Sequence, residues 1–227
     1  MLPPGAAGSG GAGGALGGAD DRLDAEHEEL TVFENEQLCG RLGDVKRHPA
    51  AEARARQDGG VFSVELIPDA ELDRVVREDW DRLLGADLPS SGRNPAPSNR
   101  PHVTLAVRER LEPSAFAGLA DLLPVPLDLG GVLLLGHKDR YVLTRQVIVS
   151  SALLEVHRVV AEIAGRPEPR YSNTGIDHWT PHITLARGLT AVRLATAMRL
   201  IKAPHVSGQA TGARVWDAEA RRVTTIR

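Results

Sequence analysis

The chain has one cysteine in 227 residues, Cys39, so an intrachain disulfide is excluded and a reducing compartment, the cytoplasm, is expected. With no cysteine pair, a structural zinc site is also disfavoured. No apolar run approaches the roughly 20 residues that a membrane-spanning helix needs. The N-terminus lacks the charged start and continuous apolar core of a secretion signal, so neither membrane insertion nor export is expected. Net charge is only −3, which offers no bulk attraction to nucleic acid. What is present is ordinary for a globular chain: 42% hydrophobic and 25% charged residues. That is enough for a sizeable core without disulfide or metal staples.

The charge is unevenly placed. Residues 20–58 carry 11 acids and 6 bases, whereas residues 59–227 carry 19 acids and 21 bases. Residues 1–19 are a Gly/Ala-rich stretch in which those two residue types supply 13 of the 19 positions. Such a stretch cannot bury enough surface to offset its ordering entropy, so residues 1–58 are expected to be a disordered and charged extension. Cys39 falls there and has no activating partner in the sequence. Residues 59–227 are expected to form the folded domain.

The informative pattern is a repeated phrase. Residues 101–107 read PHVTLAV and residues 181–187 read PHITLAR. Pro, His, Thr, Leu and Ala recur in register, with Val103 matched by Ile183. In a strand, side chains alternate between faces. His102 and Thr104 then share one face, opposite Val103 and Leu105, and His182 and Thr184 share one face opposite Ile183 and Leu185. Two such faces across one cleft hold two imidazoles and two hydroxyls. With an ordinary pKa near 6.5, one imidazole can act as base and the other as acid at neutral pH. The hydroxyls can donate to the non-bridging oxygens of a phosphate. No metal or other cofactor is required by that scheme.

The echo extends beyond the motifs. Residues 61–68 read as a strand, Asp69 as a helix cap, and apolar residues from Leu72 to Leu84 recur at helical spacing. A Gly/Pro/Ser/Asn-rich loop follows to Arg100, then the motif strand, a helix over 113–123 and a strand over 125–135. The second half repeats this order: strand 140–149, helix 151–164, loop 165–179, motif strand 181–187, helix 190–201, strand 205–217, and a short last strand at 222–226. The offset stays near 80 residues, with Val61 matching Tyr141 and Val125 matching His205. The expected fold is a duplicated α/β (α+β) domain whose halves span 60–136 and 140–227. Two small sheets flank a central cleft, with helices outside.

The doubled His-x-Thr-Leu within a duplicated frame resembles the 2H phosphoesterase superfamily, and within it the branch named 2'-5' RNA ligase or RNA 2',3'-cyclic phosphodiesterase. The resemblance covers about residues 60–227. It implies that His102 and His182 are the catalytic acid–base pair and that Thr104 and Thr184 bind phosphate. By analogy with ribonuclease-like hydrolysis of a cyclic phosphate, His182 activates water and His102 protonates the leaving ribose oxygen. The family precedent favours a 2'-phosphate product, and the ligase name reflects the reverse reaction. The implied substrates are RNA ends or small cyclic nucleotides, and a monomer is expected. The first copy departs from the usual RNA phosphodiesterase form, because residues 107–110 (VRER) stand where an aromatic-Leu-Gly ending is common. A non-catalytic nucleotide- or RNA-binding module on the same fold is the rival reading. Arg187 lies on the opposite strand parity from His182, and reads as a phosphate contact at the cleft rim or a solvated surface Arg. Trp179 reads as a base-stacking platform or a core aromatic. Tyr141 and Arg145 share one parity of a neighbouring strand, a position from which Arg145 can face the cleft, but neither is expected to act in the site; His178 is expected at the surface, and His137 and His205 to be structural or exposed.

Overall fold

The computed structural model describes residues 61–137 and 139–226; the extension over 1–58 and Cys39 lie outside the described residues. The first strand, β1 (Phe62–Pro68), leads into α1 (Ala70–Gly85). Asp69 caps α1, its carboxylate accepting from Leu72 N at 2.9 Å and from Gln209 N at 2.8 Å. One side chain thus starts a helix and ties it to a distant strand. Leu72, Val76, Trp80 and Leu83 form the buried stripe of α1.

The motif strand β2 (Val103–Arg108) follows. The helix expected over 113–123 is 3-10 over Pro113–Leu122. Its two buried residues, Phe116 and Leu119, stand three apart, which is the period of a 3-10 turn. The strand expected over 125–135 is broken into β3 (Val125–Pro126) and β4 (Asp128–His137). The reason is that the chain changes sheets at Leu127. After the hairpin to β5 (Arg140–Ile148) come α2 (Ser151–Ala164), β6 (His182–Leu189), α3 (Ala191–Leu200), β7 (Gln209–Asp217) and β8 (Arg222–Ile226). Ser150 and Thr190 cap α2 and α3 through their hydroxyls.

There are two antiparallel sheets among the described residues. One runs β2-β1-β7-β3 with β8 beside β7, and the other runs β4-β5-β6. Each sheet is therefore built from both sequence halves. β4 follows the first motif but joins the second motif's sheet, and β7 follows the second motif but joins the first. The two crossing segments run antiparallel past each other, bonded at Leu127 N to Gly208 O (2.9 Å) and Leu129 N to Val206 O (2.8 Å). Both sheets feed a single apolar core. A buried ion pair adds a second tie: Arg145 of β5 donates to Asp79 of α1 at 3.1 Å, with both side chains almost fully enclosed. No described helix is long and apolar enough to cross a membrane.

Candidate active site

The two motif strands, β2 and β6, are each at the edge of their sheet and approach each other. Both carry the same irregularity. Val64 pairs with Ala106 and Glu65 with Thr104, so Leu105 is an extra residue; Leu143 pairs with Ala186 and Thr144 with Thr184, so Leu185 is extra. Each leucine is a β-bulge, fully buried, and each bulge resets the side-chain alternation. Strict alternation would place Arg187 away from Thr184. The bulge brings it back to the Thr184 face, where its Nη2 donates to Thr184 Oγ1 at 3.2 Å. In the first copy the corresponding residue is Val107, which is buried. The second motif thus carries a cation beside its threonine, and the first an apolar side chain at the matching place.

The histidines have identical local settings. His102 Nδ1 lies 2.7 Å from Arg100 O, and His182 Nδ1 lies 2.7 Å from Thr180 O. A carbonyl can only accept, so both Nδ1 atoms carry the proton and both Nε2 atoms are left for chemistry. Burial pushes the His182 pKa down to about 4; the bond to Thr180 opposes this, while the charges of Arg187 and His102 add to it. At neutral pH His182 is an unprotonated acceptor.

Two tryptophans hold the motif strands, each from the opposite sequence half. Trp80 Nε1 donates to Thr184 O at 3.0 Å, and Trp179 Nε1 donates to Thr104 O at 2.8 Å. An edge strand leaves backbone groups unpaired, and each indole satisfies one next to a motif side chain. The Trp179 ring also stacks on His157 of α2, with centroids 4.1 Å apart and planes 2° from parallel. Its N–H and one ring face therefore serve the fold. His157 is buried, which lowers its pKa.

The residue that sequence reasoning missed is Glu65. It lies on β1 opposite Thr104 and, across the other edge, opposite Arg214 of β7. These three side chains form a row on the cleft face. Glu65 Oε1 is 3.7 Å from His102 Nε2 and accepts from Ser63 Oγ at 2.7 Å; Oε2 accepts from Arg214 Nε at 2.7 Å. Burial raises the Glu65 pKa, but the charges of His102 and Arg214 and the Ser63 bond outweigh it and leave the carboxyl below its ordinary value. One signal was available: a carboxylate in the middle of the mostly apolar strand FSVELIP. Arg145, by contrast, sits on the core face opposite Ile183 and is engaged by Asp79, Gly130 O and Pro204 O. His178 and His205 are exposed.

Among the described residues, no group of three or more His, Cys, Asp or Glu side chains could hold a metal ion. Paired His-x-Thr strands on two facing antiparallel sheets define the 2H phosphoesterase class. The chain belongs to the 2'-5' RNA ligase superfamily, whose family model matches residues 77–222, more than half of the sequence and both motifs. No curated protein matches it. Among solved structures, it is similar to Usb1 of Kluyveromyces marxianus with uridine monophosphate, at 12% identity over 75% of this chain and 99% of that one, TM-score 0.42. It is also similar to TT0787 of Thermus thermophilus, at 16% identity over 74% of this chain and 95% of that one, TM-score 0.47. A third, described as a phosphoesterase, has 19% identity over 74% of this chain and 96% of that one, TM-score 0.43. The identification rests on the family model and the motifs it spans.

Proposed function

We propose that the protein hydrolyses 2',3'-cyclic phosphates of RNA ends or small nucleotides by paired-histidine acid–base catalysis. The observation that carries this reading is the matched pair of Nδ1 bonds at 2.7 Å, which leaves two Nε2 atoms for a single phosphate. His182, neutral at pH 7, takes a proton from water as the water oxygen bonds to phosphorus. The bond from phosphorus to one ribose oxygen breaks, its electron pair stays on that oxygen, and His102 Nε2 supplies the proton that neutralises it. The product is a ribose monophosphate, and proton exchange with solvent restores both rings. With a ribose hydroxyl in place of water, the same ring opening forms a phosphodiester, its proton passing to His182 and the leaving ribose oxygen taking one from His102, which is the ligase direction. Thr104 and Thr184 donate to the non-bridging oxygens and Arg187 adds charge beside Thr184. A bound phosphate anion also offsets the Arg187 charge that opposes protonation of His182.

The test is hydrolysis of a 2',3'-cyclic nucleotide and of a cyclic-phosphate-ended oligonucleotide, with EDTA present. Wild type is compared with H102A and H182A. Each substitution should lower kcat/KM by about 10² to 10⁴. Activity that survives either substitution, or that EDTA abolishes, would refute the mechanism. Binding of the nucleotide without turnover by wild type would favour the rival binding module.

A further inference from the structure

We infer that Glu65 is the positioning residue that makes His102, rather than His182, the general acid. This rests on the phosphoesterase reading above and names the group that sets its direction. The two motifs are identical in kind from the proline to the alanine and part only at Val107 and Arg187. A second difference lies on the neighbouring strands. Opposite Thr104 stands Glu65, and opposite Thr184 stands Thr144, whose hydroxyl donates to Leu133 O at 2.8 Å and is buried. The first histidine therefore has a carboxylate 3.7 Å from its Nε2. The second has Thr144 at the matching place and Arg187 nearby. An anion at that range favours the protonated ring, and a cation favours the neutral one.

Glu65 is built to keep its charge. Ser63 and Arg214 each donate to a different oxygen, at 2.7 Å. Arg214 also donates to Ser98 O at 2.8 Å, so it ties Glu65 to the loop that precedes His102. Glu65 is itself only 3% exposed. It acts through His102 and not on substrate. Its carboxylate lies 3.7 Å from Nε2, the nitrogen that an arriving phosphate ester would meet. The charged and titratable groups around His102 are Glu65 on β1, Arg214 on β7, and His182 and Arg187 on β6, with Arg100 and its partner Asp73 beside the preceding loop.

The experiment is the pH profile of kcat/KM for a 2',3'-cyclic nucleotide, measured for wild type and E65Q. The alkaline limb reports loss of the proton that the acid must carry. In E65Q that limb should move to lower pH, with the acidic limb unchanged, because the carboxylate 3.7 Å from Nε2 is lost. E65Q leaves Arg214 buried without its partner, so E65Q/R214Q is measured alongside it. Replacing both members of a buried pair is far better tolerated than removing one. The double variant should shift in the same direction by a smaller amount, because Arg214 sits on the far oxygen. A uniform fall in rate with an unmoved profile in both variants would make Glu65 merely structural and overturn the inference. Wild-type protein inert towards the cyclic nucleotide would overturn the phosphoesterase reading, and the inference with it. Active wild type with unmoved variants overturns the inference alone.

Discussion

Replacing Trp80 with Phe tests whether the site depends on the exchange of support between halves. Trp80 is 3% exposed and its Nε1 donates to Thr184 O at 3.0 Å. Phe keeps an aromatic ring in place but removes the donor and part of the ring. The Thr184 carbonyl on the edge strand loses its partner, which costs about 1–3 kcal/mol. The lost ring volume leaves a small cavity and costs about 1–2 kcal/mol more. The sum is about 3 kcal/mol, or roughly 6–12 °C in Tm for a domain of this size. Far-UV circular dichroism melts measure it without relying on tryptophan emission. On the proposed mechanism Thr184 binds the phosphate, so kcat/KM should also fall by about tenfold or more. A loss below about 1 kcal/mol, or a full stability loss with unchanged kcat/KM, would refute the claim that this indole positions the motif.

Two further predictions concern stability. The ordinary pKa of His182 is 6.5 and its folded value is about 4. The unfolded chain therefore binds this proton first as the pH falls. The stability held by the neutral ring is complete above about pH 6.5, declines towards pH 4 and is gone below it; for a partly exposed ring this amounts to about 1–2 kcal/mol. Urea titrations across that range should show the slope in wild type and a reduced slope in H182Q. Arg145 is fully enclosed and paired with Asp79. R145M strips the buried carboxylate of this partner, and chemical denaturation should record a loss of about 3 kcal/mol or more; a loss under about 1 kcal/mol would mean that Arg82, which also contacts Asp79 at 2.6 Å, suffices.

The parts of the site legible in the sequence are those encoded by local periodicity. His102, Thr104, His182 and Thr184 announce themselves because the phrase occurs twice, and a two-residue spacing puts the polar pair on one face of any strand. Helix starts at Asp69, Ser150 and Thr190 are legible for the same reason, since a cap depends on residues within one turn. Arg187 is the instructive case. Its parity in sequence is opposite to that of His182, and only the bulge at Leu185 turns it to the Thr184 face. Trp179 is ambiguous in sequence, and its stacking partner His157, on a helix earlier in the chain, could not be read from its neighbours.

The sequence by itself determined the paired motif, the order of elements and therefore the family. These depend on residue identity and short-range alternation, which a chain carries whether or not it is folded. Only the tertiary structure decided which strands share a sheet, because β4 and β7 cross to opposite sides and pairing is settled by backbone hydrogen bonds between distant segments. That same crossing brings Arg214 beside Glu65, and sheet pairing brings Glu65 beside His102. Two histidines that are equivalent in the sequence thus acquire different electrostatic surroundings. A charge acts through distance and dielectric rather than through position along the chain.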